Sequence, residues 1–331
     1  MDYIKMPKID LHCHLDGSVR PETLLELAIK KGVKPRSTLL EEIQGESWVT
    51  EDCQSLVEYL HRFRLPQLVM QEREALFQIA GEFMADCQKD GLSYVEVRFA
   101  PVFHTLESLS FEEVMDAVLE GLHQGSRKTG IPFGLIVCCM RHLSAEASYD
   151  HVKQTLPYVG QGVVAVDLAG DEAHYPPRLH EKAFDLARSH DLGITVHAGE
   201  TGIDSHISDA ITYLYANRIG HGTAAWKNPD LMQVLKERQI TLEMCPTSNV
   251  HTKSIPALKD HPAKRYLDQG LAVTLNTDNR TVSNITLSQE LAGVTSALML
   301  SDADLKAIYS NAVKGAFCPS ALKTQLMSKW K

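Results

Sequence analysis

Two histidines one residue apart, His12 and His14, are the first place where this chain could do chemistry. On an extended strand, residues i and i+2 face the same side, so both imidazoles can converge on one ion. Three further short runs carry residues of the same kind: Val196-His197-Ala198-Gly199-Glu200, Ile219-Gly220-His221-Gly222 and Asn276-Thr277-Asp278-Asn279. Taken singly, each reads at least as well as a hydrogen-bonded, partly buried polar residue, and an isolated H-x-H is more often structural than metal-binding. Four apolar runs that each end in His or Asp are harder to explain as independent choices, because burying several ionisable groups together is costly unless a cation or a reaction uses them. Imidazole plus carboxylate without thiolate suits zinc with an open position for water. Cys13 and Cys245 lie beside these runs and read as packing residues. Cys13 falls between two inward residues and should face outward, and Cys245 has no second thiol at ligand spacing.

Groups of this kind must be held by strands that end together. Eight short β-rich runs occur, at 9–12, 94–101, 134–140, 163–169, 194–197, 218–222, 241–245 and 272–277. Apolar runs bounded by turn residues indicate strands buried on both faces, as a parallel sheet requires, and the segments between them carry helical periodicity. Ile207, Ala210, Ile211 and Leu214 follow the i, i+3, i+4, i+7 rule behind Asp204 and Ser205 as N-caps, and Leu231, Val234 and Leu235 repeat it after Pro229 at a helix start. Residues 285–317 read as two helices, with Ser301-x-x-Asp304 resembling a capping box at the start of the second. Eight β/α units fill about 250 residues. The fold expected is an α/β (β/α)8 TIM barrel, one domain spanning 1–331, whose active site lies at the C-terminal ends of its strands. The surplus length falls between the first two strands, where about 80 residues separate His14 from Tyr94. Extra helices there are expected to form a lid. Leu56, Tyr59, Leu60 and Phe63 share one helical face in that stretch; spacing alone favours a core-facing stripe over a roof on a pocket.

Composition removes other classes. With 33 Lys+Arg against 42 Asp+Glu in 331 residues the formal charge is −9, which argues against a nucleic-acid partner. No apolar stretch approaches the roughly 18 to 20 residues of a membrane-spanning helix. The first residues have no apolar segment of a secretory signal, so a cytoplasmic location is expected. Seven cysteines without C-x-x-C read as reduced, mostly buried thiols. No linker, internal repeat or low-complexity tract divides the chain, and nothing in it sets an oligomeric state.

The motifs also occur together in a known family. The chain resembles the adenosine deaminases of the amidohydrolase superfamily through Ile9-Asp10-Leu11-His12-Cys13-His14-Leu15-Asp16-Gly17, Val166-Asp167-Leu168-Ala169-Gly170-Asp171-Glu172, the Val196 to Glu200 run, Arg218-Ile219-Gly220-His221-Gly222 and Asn276-Thr277-Asp278. These stand in order along nearly the whole chain. The resemblance implies an enzyme that deaminates adenosine, and 2′-deoxyadenosine, to inosine or deoxyinosine and ammonia in purine salvage, with a deaminase of a modified or other 6-aminopurine nucleoside or base as the alternative. It implies one Zn2+ per chain held by His12, His14, His197 and Asp278, with water completing the shell. Glu200 would protonate purine N1, His221 would orient the water and stabilise developing charge, and Asp278 would also accept the water's proton. The substrate, a small-molecule purine nucleoside, would lie beside His14, with the Gly170 backbone N–H on the purine and Asp16 on the ribose hydroxyls. As the proton donor, Glu200 should be shielded from water with its pKa raised by burial.

Three details refine the class. Two-metal relatives commonly carry a carboxylated lysine at the end of the fourth strand, whereas this one ends Asp167-Leu168-Ala169-Gly170, which favours one metal. The absence of P-C-x-x-C excludes the cytidine-deaminase architecture. Many adenosine deaminases place a second aspartate after the metal aspartate; here Asn279 follows, and its amide can donate to purine N7 without a raised pKa. Arg280 either contacts substrate or, the favoured reading, pairs with Asp16 or another nearby carboxylate.

Overall fold

A computed structural model describes residues 2–33, 39–50 and 52–330. Its eight strands are β1 (Ile9–His14), β2 (Tyr94–Phe99), β3 (Phe133–Met140), β4 (Val163–Ala169), β5 (Gly193–Ala198), β6 (Arg218–His221), β7 (Thr241–Met244) and β8 (Ala272–Leu275). They form one parallel sheet in sequential order. The expected TIM barrel is the observed fold. It closes through a bridge between Cys13 and Asp278, where His14 N–H donates to Asp278 O at 2.7 Å and Asp278 N–H to His12 O at 2.8 Å. Side chains complete the seam. Asn276 Oδ1 accepts from Leu11 N–H at 3.0 Å, and Thr277 Oγ1 donates to Asp10 Oδ2 at 2.6 Å.

Every residue of β2, β6 and β7 is buried, as strands covered by helices outside and by one another inside must be. Their alternation sends Leu and Val outward to the helices and a set of charges inward. Arg98 donates to Asp167 Oδ2 at 3.0 Å and to Glu243 Oε2 at 2.8 Å, and Arg218 pairs with Glu96 and Glu243. All five are essentially inaccessible to water.

The helix signals fare unevenly. Ser301 and Asp304 form both bonds of a capping box, and Asn228 caps the helix Pro229–Glu237. Asp204 and Ser205 do not cap. The helix Asp204–Tyr213 begins at Asp204 itself, with Ile203 in the cap position and no side-chain bond, so Asp204 instead complements the positive end of the dipole from the first turn. Between β1 and β2 lie the helices Pro21–Lys31, Leu40–Ser47, Leu56–Leu60, Arg64–Val69 and Arg73–Lys89. The stripe there serves both readings: Leu56, Tyr59, Leu60 and Phe63 line the pocket over the strand ends, and Tyr59 and Phe63 also pack with Cys53 and Val282 in a small buried cluster, the two leucines being half-buried. Spacing cannot tell these apart, because a pocket wall and a core both call for apolar residues. All seven cysteines are free and buried.

Candidate active site

The C-terminal ends of β1, β5, β6 and β8 meet at one mouth. One ligand-capable atom from each of His12, His197, His221 and Asp278 falls within 4.8 Å of the others. His14 Nε2 joins them, 3.2 Å from His197 Nε2 and 3.4 Å from Asp278 Oδ1. All four ligands expected from sequence are therefore gathered, and His221 makes a fifth group at the same point. The donor set fits a cation. His12 Nε2 is buried, has no hydrogen-bond partner and lies 3.4 Å from Asp278 Oδ1.

The backbone is bent to achieve this. His221 and Asp278 are non-glycine residues with φ of 64° and 61°, a sparsely populated region that costs about 1 to 3 kcal/mol and persists only where the surroundings enforce it. Gly220 lets His12 in: a Cβ there would lie 2.9 Å from His12 Cε1 and 3.3 Å from His197 Cα. Behind the histidines stand carboxylates. His12 Nδ1 is 2.9 Å from Glu243 Oε2 and His197 Nδ1 is 2.9 Å from Asp167 Oδ2, which orients both rings with Nε2 toward the cluster. Burial alone would raise Asp167 and Glu243, but His197 and the Arg98 guanidinium beside the first, and the guanidinium groups of Arg218 and Arg98 beside the second, hold both well below the carboxylate range. Asp278 is lowered likewise, burial being outweighed by the proximity of His12 and the neighbouring histidines.

Glu200 has the opposite character. Burial, with the negative charges of Asp278 and Glu172, pushes its carboxyl up to about 8, toward the protonated form an acid needs. Thr252 Oγ1 donates to its Oε1 at 3.0 Å, and its Oε2 lies 3.6 Å from His221 Nε2. Glu172 fixes the turn that carries it, accepting from Gly199 N–H at 2.5 Å and Thr201 N–H at 2.8 Å.

Asp16, Gly170 and Asn279 line the same pocket. Asp16 Oδ1 is buried without a partner, and burial pushes its carboxyl up to about 7. Gly170 adopts φ +103°, the left-handed side that favours glycine, at the end of β4. Asn279 Oδ1 packs so tightly on Gly17 that a Cβ at that position would lie 1.9 Å from it. Arg280 turns away from the pocket and pairs with Asp90 at 3.0 Å, not with Asp16.

Six residues that hold the site were given no role from sequence: Asp167, Glu172, Glu243, Ser248, Asn249 and Thr252. Ser248 Oγ donates to Asp278 Oδ2 at 2.5 Å, and Asn249 Nδ2 lies 3.0 Å from His221 Nδ1. One signal was present. Glu243, Asp167, Glu96 and Arg98 are charges inside runs that otherwise read as buried strands, which demands a partner for each. Ser248, Asn249 and Thr252, in and just after the helix Pro246–His251, carry no comparable local mark.

An eight-stranded parallel barrel with His, His, His and Asp converging at its C-terminal mouth defines a metal-dependent hydrolase of the amidohydrolase type. The chain belongs to the adenosine deaminase family, whose profile matches residues 7–331. It is 44% identical over 98% of its length to the adenosine deaminase of Clostridium acetobutylicum, covering 97% of that protein, and 42% identical to that of Clostridium botulinum strain Okra, with 99% and 98% covered. Among solved structures it is similar to a zinc-bound amidohydrolase from a Burkholderia species, at TM-score 0.92 and 26% identity over 99% of this chain and 90% of that one. It is also similar to the N6-methyl-AMP deaminase of Arabidopsis, at TM-score 0.87 and 29% identity, with 99% and 98% covered.

Proposed function

We propose that this chain hydrolyses adenosine and 2′-deoxyadenosine to inosine or deoxyinosine and ammonia. The observation that carries the reading is a buried Glu200 carboxyl beside a cluster of four histidines and an aspartate. Breaking an aromatic C–N bond with water needs both an activated water and an acid on the ring. The relatives named adenosine deaminase, matched along nearly their full length, support the choice of substrate.

His12, His14, His197 and Asp278 would hold the cation, and zinc suits this nitrogen and oxygen set; a structural relative binds zinc. Such an ion supplies Lewis acidity that makes water nucleophilic near neutral pH. Asp278 takes the proton of the attacking water, and His221 orients that water against C6 of the purine. As the water oxygen bonds to C6 and electrons move toward N1, Glu200 delivers its proton there and ring aromaticity is interrupted. The proton held by Asp278 passes to N6, the C6–N6 bond breaks, ammonia leaves, and the proton of the new C6 hydroxyl returns to Glu200 as the carbonyl forms. The Gly170 N–H and the Asn279 amide hold the purine edge, and Asp16 holds the ribose hydroxyls. Tyr59 and Phe63 exclude bulk water from above.

The test is a panel of adenosine, 2′-deoxyadenosine, adenine, AMP and N6-methyladenosine followed by ultraviolet absorbance and ammonia release. Adenosine and 2′-deoxyadenosine are expected to react fastest. Glu200→Gln should keep its metal, measured by elemental analysis, and lose about 10² to 10⁴ in rate, the usual worth of general acid catalysis. A glutamine variant within about threefold of wild type means that another group protonates N1.

A further inference from the structure

His221 differs from the other histidines at the mouth in what stands behind it. His12 and His197 each present Nδ1 to a buried carboxylate, an acceptor, so each carries its proton on Nδ1 and turns a bare Nε2 to the cluster. His221 Nδ1 instead faces the side-chain nitrogen of Asn249 at 3.0 Å. An amide's nitrogen and oxygen look alike in outline, so the direction must come from its far end. There Asn249 Oδ1 lies 3.2 Å from His261 Nε2. The peptide N–H of Ala263 donates to His261 Nδ1 at 3.3 Å, and a peptide N–H has no other role. Burial drives His261 down to about 3, so the ring is neutral and its single proton sits on Nε2.

The direction of every bond is then fixed. Ala263 N–H donates to His261 Nδ1, His261 Nε2–H to Asn249 Oδ1, and Asn249 Nδ2–H to His221 Nδ1. His221 accepts at Nδ1 and holds its proton on Nε2. His221, Asn249 and His261 are 1%, 0% and 4% exposed, so water does not compete along the chain.

We infer that Asn249, oriented by His261, is a positioning residue that locks His221 in the Nε2–H tautomer, so that His221 stays out of the metal's ligand set and donates its hydrogen to the water attacking the purine. His14, whose Nδ1 meets no comparable amide among the described residues, then completes the set with His12, His197 and Asp278. The inference rests on the role proposed above for His221, and it explains why five candidate groups at one point divide into four ligands and one donor.

Nitrogen-15 spectra of the metal-loaded, histidine-labelled protein test it without substrate, with His221 assigned by its loss in His221→Gln. The expected spectrum has an unprotonated Nδ1 and a protonated Nε2. Asn249→Asp, isosteric but an acceptor, should reverse the two signals and lower kcat about 10²-fold, the usual worth of one donor to developing charge, with KM within about threefold and the metal retained. His261→Gln, whose amide can still donate to Asn249, should restore the wild-type tautomer that His261→Leu loses. A wild-type His221 protonated on Nδ1 overturns the inference, whether or not the variants fold. So does an Asn249→Asp kcat within about threefold of wild type. Failure of the substrate assignment is seen separately, as absent adenosine turnover by the wild type with the spectrum unchanged; kinetics then use whichever member of the substrate panel reacts.

Discussion

Asp16 and Glu200 are two carboxyls in one pocket, both raised by burial, yet their surroundings assign them different work. Glu200 keeps a hydroxyl donor on one oxygen and faces His221 with the other, whereas Asp16 has a buried oxygen with no partner at all. An unpartnered buried oxygen costs stability unless a ligand satisfies it. If ribose hydroxyls do so, Asp16→Ala should narrow the preference for adenosine over adenine by one to two decades, because a hydrogen bond to a charged group is worth roughly 1.5 to 3 kcal/mol. The measurement is kcat/KM for nucleoside and base on both proteins. An unchanged ratio assigns the ribose to another residue.

Among the elements, β6 is one of the shortest strands, and its glycine decides whether the proposed metal ligands can converge. Gly220 sits where a side chain would collide with the His12 ring and the His197 backbone. Gly220→Ala should leave the far end of the barrel intact but displace His12, lowering metal content and activity together. Far-ultraviolet circular dichroism and zinc stoichiometry distinguish this from unfolding. A variant with full zinc and full activity would show that His12 has room to spare. The helix Pro246–His251 and the residue after it act the other way, supplying Ser248, Asn249 and Thr252 to three different groups of the site. The roof is tied to the same region, since Tyr59 Oη and Ser283 Oγ are 2.9 Å apart and Val49 N–H donates to Val282 O at 2.8 Å.

The molecule as a whole buries an unusual amount of charge and imidazole. Removing one member of the Arg98, Asp167, Glu243, Arg218 and Glu96 set should be far more damaging than its hydrogen bonds suggest, because the partners stay buried and unpaired. His104 is a buried histidine with neither nitrogen partnered, stacked on Phe99 at 5.8 Å between ring centroids. Burial lowers it to about 4 from an ordinary 6.5. Its folded pKa lies below its unfolded one, so the unfolded chain binds the proton first. The contribution to stability is full above pH 6.5 and is lost as the pH falls toward 4. His104→Phe removes that loss. Relative to wild type, the variant should gain about 1.4 kcal/mol per pH unit between those limits, read from melting temperatures at several pH values. A constant gap between the two proteins would place a hydrogen bond on His104 that keeps its folded pKa ordinary.

The amino-acid sequence by itself determines the barrel and the residues proposed as its reactive groups. Eight apolar runs between helical stretches define the fold, because period and turn residues report burial locally, and barrel geometry puts the ends of those runs at one mouth. His12, His14, His197, His221, Asp278 and Glu200 stand at those ends, so the site is legible as a coincidence of position and residue type. What surrounds them is not. Glu243 meets His12 across 231 residues of sequence, and Arg280 finds Asp90 across 190. No local pattern distinguishes Asp90 from Asp16 as its partner. The stripe at Leu56 to Phe63 has the period of a core face and serves also as a roof. Periodicity tells which side of an element avoids water, whereas the identity of the group on that side depends on how the barrel closes. The roof, the charge network and the tautomer of His221 are set there, by which side chains the closed sheet and its connecting helices bring within a bond length of one another.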